Sequence, residues 1–239
     1  MMASMNDVKG MIFDYGGTID SRGVHWSEVI WKGYEKSGVN VDKAVFRDAY
    51  VYAERLLAKQ PLVKPEYNFY DLMLLKVRNE LLWLCEQGLV ANDEVEPKSV
   101  EIAKYCDDSA RECAEEAKPV LDALKERYPM VMVSNFYGNL KSVLEEYGLL
   151  KYFDSIVESA VVGVRKPDGM IFKLGVKELG MNPEQVVVIG DSYSKDIVPA
   201  MSIGCQTIWL KGKGWGDEPE NDYASVEVKK LAEIPDALL

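Results

Sequence analysis

The second half of the chain alternates between short apolar runs and amphipathic segments. The apolar runs favour buried strands, and the amphipathic segments, several of which end at a glycine, favour helices. Continuous apolar strands separated by helices are typical of a parallel sheet covered on both faces, so this pattern predicts an α/β fold with a doubly wound parallel sheet. The predicted strands are residues 8–14, 130–134, 155–159, 186–189 and 206–210, with a surface loop and a short helix near 226–231 after them.

A long stretch between the first two predicted strands has only helical periodicity. Apolar residues repeat there at spacings of three to four, and Pro61, Pro65 and Pro97 divide the stretch into segments. We therefore predict a core made of residues 1–19 and 118–239 and an inserted helical unit at residues 20–117. An insertion at the carboxyl end of the first strand would cover that edge of the sheet.

Polar residues stand at or between the ends of the predicted strands. Because the carboxyl ends of parallel strands converge on one crevice, we expect these side chains to meet. Taken singly, each segment also fits a turn, a solvated loop or a helix cap, and only their common placement favours a site. The residues are Asp14 with Gly16, Gly17 and Thr18, then Ser134 with Asn135, then Lys166, and finally Asp191 with Asp196.

The composition disfavours two classes of binding partner. The chain has 239 residues and a net charge of -11, which disfavours nucleic acids and anionic membranes because both require a basic surface. Residues 1–7 lack the pattern of a signal peptide, and no apolar stretch is long enough to span a bilayer, so we expect a cytoplasmic protein. The four cysteines have no CxxC spacing and are expected to be reduced thiols. The sequence does not indicate an oligomeric state.

The order of these motifs resembles that of the haloacid dehalogenase (HAD) superfamily, over most of residues 8–210. The segment from Asp14 to Thr18 matches the first motif, Ser134 the second, Lys166 the third, and Asp191 with Asp196 the fourth. A helical insertion between the first and second motifs is similar to the C1 cap of one subclass. The resemblance implies a Rossmann-like core and hydrolysis of a small phosphorylated metabolite.

The resemblance also implies a role for each residue. Asp14 would attack phosphorus and form an aspartyl-phosphate, with Lys166 balancing the charge. Mg²⁺ would be held by Asp14, the Gly16 carbonyl and Asp191. Ser134 and the backbone around Gly17 and Asn135 are expected to donate hydrogen bonds to the phosphoryl oxygens. Thr18 and Asp196 are expected to support the site.

One position departs from the phosphatase pattern of that superfamily. Most of its phosphatases carry a second aspartate two residues after the nucleophile as general acid and base, and this chain has Gly16 there. Such help is worth about 100- to 10,000-fold in rate. Four explanations stay open: a nearby group such as Asp20 or a residue of the insertion substitutes, the leaving group needs little protonation, the reaction differs, or the protein binds without turnover.

The alternative functions differ in the residues that their chemistry requires. Attack on carbon, as in the haloacid dehalogenases, needs no metal and is disfavoured because Asp191 and Asp196 are present. A reaction like that of phosphonoacetaldehyde hydrolase would need a lysine of the insertion to form a Schiff base, and the sequence singles out none of Lys32, Lys36, Lys43, Lys59 and Lys64. Two interpretations without catalysis also remain, a phosphate-binding homologue and a protein-interaction module.

Overall fold

The computed structural model describes residue 5 and residues 7–214 and 223–238. Within them, six parallel strands form one sheet in the order β3-β2-β1-β4-β5-β6. The strands are β1 (Gly10–Phe13), β2 (Met130–Ser134), β3 (Ser155–Glu158), β4 (Val186–Gly190), β5 (Gln206–Leu210) and β6 (Val226–Val228). This sheet, with helices on both faces, confirms the predicted doubly wound fold.

The central strands are apolar, apart from Ser134 at the end of β2, because both of their faces are buried. All residues of β1, β2 and β4 are buried. Along β1, Met11 and Phe13 pack into one core and Ile12 into another, as the two-residue period of a strand requires. Helices α5 (Leu140–Glu146), α6 (Ser159–Val162), α7 (Met170–Leu179), α8 (Val198–Ser202) and α9 (Ile234–Ala237) complete the region around the sheet.

Four helices follow β1 before the chain returns to the sheet. They are α1 (Trp26–Ser37), α2 (Lys43–Lys59), α3 (Phe69–Glu86) and α4 (Asn92–Lys125). The predicted boundary between residues 117 and 118 falls inside α4, and the division of the chain into units stays a prediction. None of the helices of the described residues is long and apolar enough to cross a membrane.

Two local predictions were wrong. Pro97 does not divide helical segments, because α4 runs through it and also through Pro119, and the buried face of α4 packs along α1 and α3. Burial on that face outweighs the local cost of proline. Residues 226–228 form β6 rather than a helix: Val226 and Val228 are buried and Glu227 is exposed, which is the two-residue period of a strand paired with β5. Residues 215–222 of the predicted surface loop lie outside the described residues.

Candidate active site at the carboxyl edge of the sheet

Three strands deliver polar side chains to the same point. Asp14 follows β1, Ser134 is the last residue of β2, and Asp191 follows β4. Because β1 lies between β2 and β4, these side chains converge where the strand order changes direction. The Asp14 backbone N–H donates to the Ile189 carbonyl at 2.9 Å, which fixes the nucleophile candidate against the neighbouring strand.

A buried lysine joins two of the carboxylates. Lys166 Nζ lies 2.7 Å from Asp14 Oδ1 and 2.6 Å from Asp196 Oδ1, and all three residues are buried. Ser134 Oγ donates to the same Asp14 oxygen at 2.8 Å. Burial alone would lower the pKa of Lys166, but the charges of Asp14 and Asp196 outweigh it and raise the pKa. Lys166 is therefore a fixed positive charge beside Asp14.

Asn135 holds the loop that carries this lysine. Its Oδ1 accepts the Lys166 backbone N–H at 2.9 Å, and its Nδ2 donates to the Lys166 carbonyl at 3.1 Å. The Asn135 side chain thus positions Lys166. A role of its backbone N–H toward substrate stays a prediction.

The three carboxylates form a compact cluster. One oxygen each of Asp14, Asp191 and Asp196 lie within 4.8 Å of one another. Thr18 Oγ1 donates to Asp191 Oδ1 at 3.1 Å, and the Ser192 backbone N–H donates to Asp196 Oδ2 at 3.0 Å. Of the two predicted supporting residues, Thr18 thus donates to the cluster and Asp196 is part of it. Gly17 is required beside it, because its φ is 96° and a Cβ there would lie 2.4 Å from the Asp191 carboxylate.

The cluster has more negative than positive charge. Among the described residues, Lys166 is the one cation that pairs with this cluster, and it contacts Asp14 and Asp196 but not Asp191. Burial, together with the charges of Asp196 and Asp14, raises the pKa of Asp191 well above its ordinary value. A donor set of carboxylate oxygens with excess negative charge fits a hard divalent cation such as Mg²⁺.

The position of the missing aspartate is open space. A Cβ at Gly16 would meet no atom within 4 Å. The carboxylate of Asp20 lies close by: its Oδ1 accepts the Gly17 N–H at 2.7 Å, and its buried Oδ2 has no partner among the described residues. Burial raises the pKa of Asp20 to about 7.

A cavity of about 1120 Å³ extends from the carboxylate cluster to the inserted helices. Its inner wall on the helical side includes His25, Trp26, Tyr50, Glu54 and Lys76. Lys76 is buried, forms an ion pair with Glu54 and lies over the Tyr50 ring at 4.2 Å. Burial, then the charges of Lys195 and Lys76, lower the pKa of His25 to about 4, so its ring is neutral at pH 7.

Sequence reasoning missed Lys76 and Glu54. Of the lysines that it considered in the insertion, Lys59 lines the cavity. A signal for Lys76 was present, because it lies beside Leu72, Met73 and Val77 on the buried face of α3, where a charged residue is unusual.

Comparisons with known proteins point to one family of hydrolases. A family model described as haloacid dehalogenase-like hydrolase matches residues 8–204. Glyceraldehyde 3-phosphate phosphatase from Methanocaldococcus jannaschii is 36% identical over 90 residues, which are 37% of this chain and 39% of that protein. Pyrimidine 5'-nucleotidase YjjG from Escherichia coli is 32% identical over 125 residues, which are 51% of this chain and 55% of that protein. The matches thus span between two fifths and just over half of these curated relatives.

A solved structure extends the likeness to the whole fold. The HAD-hydrolase YfnB from Bacillus subtilis, solved bound to magnesium, aligns over 98% of this chain and 99% of its own with a TM-score of 0.54 and 20% identity. At this level of identity the likeness establishes the fold alone.

Proposed function

The chain belongs to the haloacid dehalogenase-like hydrolases, and from that membership we propose that it hydrolyses a small phosphate monoester with Mg²⁺ through an aspartyl-phosphate on Asp14. One observation carries the proposal. Asp14 Oδ1 is held by both Ser134 and Lys166, and two further carboxylates lie beside it. This arrangement orients a nucleophile next to an oxygen-rich cation site.

The residues divide the reaction into two steps. A carboxylate oxygen of Asp14 attacks phosphorus, the ester P–O bond breaks, and the leaving alcohol takes a proton. Water then attacks the aspartyl-phosphate, which releases phosphate and restores the carboxylate. Lys166 supplies positive charge close to the attacked phosphoryl group, and Ser134 orients Asp14. Mg²⁺, held by Asp14, Asp191 and the Gly16 carbonyl, would neutralise phosphoryl charge.

The proton donor for the leaving group is the open part of this mechanism, because Gly16 has no side chain. Asp20 is the substitute that the geometry favours: it lines the cavity, and one of its buried oxygens has no partner among the described residues. We also propose that α1–α4 act as a C1 cap that covers the site and excludes water during the reaction.

The charge state of Lys76 in the cavity wall disfavours the alternative reaction, in which a lysine forms a Schiff base with the substrate. A lysine must be neutral to attack an aldehyde. Burial alone would lower the pKa of Lys76, but the charge of Glu54 outweighs it and raises the pKa. Lys76 is therefore a poor nucleophile. The empty position at Gly16 favours the other alternative, a homologue that binds phosphate with weak turnover.

The decisive experiment is hydrolysis of a panel of sugar 1-phosphates, acyl phosphates and phosphonoacetaldehyde, each with Mg²⁺, with EDTA and with the Asp14→Asn variant. We expect turnover that EDTA abolishes and that Asp14→Asn lowers by about 1,000-fold or more. Turnover that survives both changes would refute the proposal. Binding of phosphate without any turnover would support the binding homologue.

A further inference from the structure

Four basic side chains of the cavity lining are exposed to solvent, unlike the buried lysines of the two walls. Arg55 and Lys59 lie on α2, Arg165 precedes the site lysine, and Lys195 lies in the π-helical turn after β4. We call these four residues the mouth cations. None of them forms an ion pair with another residue in the part of the chain that the structure describes, although many lysines and arginines elsewhere do.

The buried charges of the cavity therefore differ from the exposed ones in how they are paired. The two buried lysines of the wall are already paired, Lys76 with Glu54 and Lys166 with Asp14 and Asp196. The remaining acidic groups, Asp20 and Asp191, belong to the sheet edge. Among residues 7–214 and 223–238, no ion pair balances the positive charge of the mouth cations, in a protein whose net charge is -11.

The positive charge comes from both sides of the cavity. Arg55 and Lys59 are four residues apart and share a face of α2, where like charges repel. Lys59 is in the last turn, where a cation stabilises a helix, but this does not account for Arg55. Arg165 and Lys195 come from two loops at the sheet edge. An anion between the two sides would relieve the repulsion on each.

The field of one mouth cation reaches the inner wall. The charge of Lys195 contributes, after burial, to the lowered pKa of His25, which is about 4. His25 caps α1, so Lys195 acts across the cavity on the inserted helices. Exposed positive charge on both sides of the cavity favours a second negative group on the ligand, beyond the phosphoryl group beside Asp14.

We propose that the mouth cations bind a second anionic group, a carboxylate or a phosphate, at the leaving-group end of the substrate. The inference rests on the proposed function and narrows it to phosphate esters that carry at least two anionic groups. Esters with an uncharged leaving group would lack the contact and bind more weakly.

Matched ester pairs test this preference kinetically. 3-Phosphoglycerate and glycerol 3-phosphate differ by a distal carboxylate, and fructose 1,6-bisphosphate and fructose 1-phosphate by a distal phosphate, so the two pairs also distinguish the two anions. We expect the anionic member of at least one pair to have a kcat/KM about tenfold higher or more. The preference should shrink as ionic strength rises.

The variant that removes the mouth cations carries Arg55→Gln, Lys59→Gln, Arg165→Gln and Lys195→Gln. We expect it to lower the kcat/KM ratio within the preferred pair by about 10- to 100-fold. The matched control changes four exposed lysines outside the cavity, Lys32, Lys173, Lys177 and Lys230, to Gln. It alters the net charge equally and should leave the ratio within about twofold.

A binding measurement separates this inference from the proposed function. Calorimetric titration of the two members of each ester pair into Asp14→Asn protein with Mg²⁺ does not depend on turnover. Tighter binding of the more anionic member of either pair, lost when the mouth cations are removed, supports the inference even if wild type hydrolyses no ester. Equal affinities for both members of each pair, or an equal loss for both in the variant, would overturn it.

Discussion

Two buried lysines, Lys166 and Lys76, face the same cavity from opposite walls. Lys166 is 3% exposed and lies between Asp14 and Asp196 at the sheet edge. Lys76 is 2% exposed and pairs with Glu54 among the inserted helices. Both are kept charged by carboxylates, yet the groups around them differ in how completely their charges and hydrogen bonds are satisfied.

The group around Lys76 is largely closed. Tyr137 donates to Glu54 at 2.7 Å and Tyr34 donates to Glu80 at 3.0 Å. Since Tyr137 follows β2 and Glu54 lies on α2, this group connects the inserted helices to the sheet. Around Lys166, by contrast, the third carboxylate, that of Asp191, pairs with no cation of the described residues. The comparison teaches that a buried charge balanced by its neighbours supports the fold, whereas an unbalanced one is available for a ligand.

The largest expected effect separates the two lysines by activity. Lys166→Met should lower kcat by about 1,000-fold or more, because the phosphoryl group loses the charge beside Asp14. Lys76→Met should lower kcat by less than about tenfold per folded molecule. Steady-state kinetics at saturating ester and Mg²⁺ checks both. Similar losses in the two variants would contradict the division of roles.

We expect Lys76 to contribute more to the stability of the protein than to its activity. Lys76→Met leaves Glu54 without its cation in the cavity wall, and we expect the free energy of unfolding to fall by about 3 kcal/mol. Urea unfolding followed by circular dichroism measures this. The control is Lys104→Met, which removes an exposed pair with Asp108 at 2.8 Å and should leave the free energy of unfolding nearly unchanged. An equal cost in both variants would mean that the Lys76 group is not structural.

Restoring the missing carboxylate sharpens the contrast at the sheet edge. A Cβ at Gly16 meets no atom within 4 Å, so Gly16→Asp is expected to fold and to raise kcat by about 100-fold on esters of poor leaving groups. Gly17→Asp is the matched control and should lose activity, because its Cβ would lie 2.4 Å from Asp191. If Gly16→Asp changes nothing while Asp20→Asn lowers kcat, Asp20 already performs the proton transfer.

The smallest expected effect concerns Glu80. Burial raises the pKa of Glu80 from 4.5 to about 7, against the charge of Lys76 and the Tyr34 hydrogen bond. The folded state therefore binds a proton more tightly than the unfolded state, and this stabilisation is complete below pH 4.5 and is lost as pH rises through about 7. Glu80→Gln should match wild type near pH 5 and be more stable by about 1–2 kcal/mol near pH 8.

Urea unfolding of both proteins at the two pH values gives the comparison for Glu80. A stability difference that does not change with pH would show that Glu80 does not change its protonation on folding.

The sheet and the motif residues could be predicted because their signals are local. A strand buried on both faces must be apolar throughout, as in 186–189, and a residue such as Asp14 at the end of such a run stands out. Local signals failed where burial outweighed them, as at Pro97 within α4, and where a strand of three residues was too short for its period to be recognised, as in β6.

The sequence by itself determined the parallel sheet, the residues at its carboxyl edge and the absence of a side chain at Gly16. Only the tertiary structure decided that Asn135 holds the Lys166 loop, that Lys76 is paired with Glu54, and that four cations from α2 and two loops surround one cavity. The physical reason is that strand burial follows a short repeat along the chain. The balance of charge in a cavity instead depends on side chains that are distant in sequence and meet only after folding.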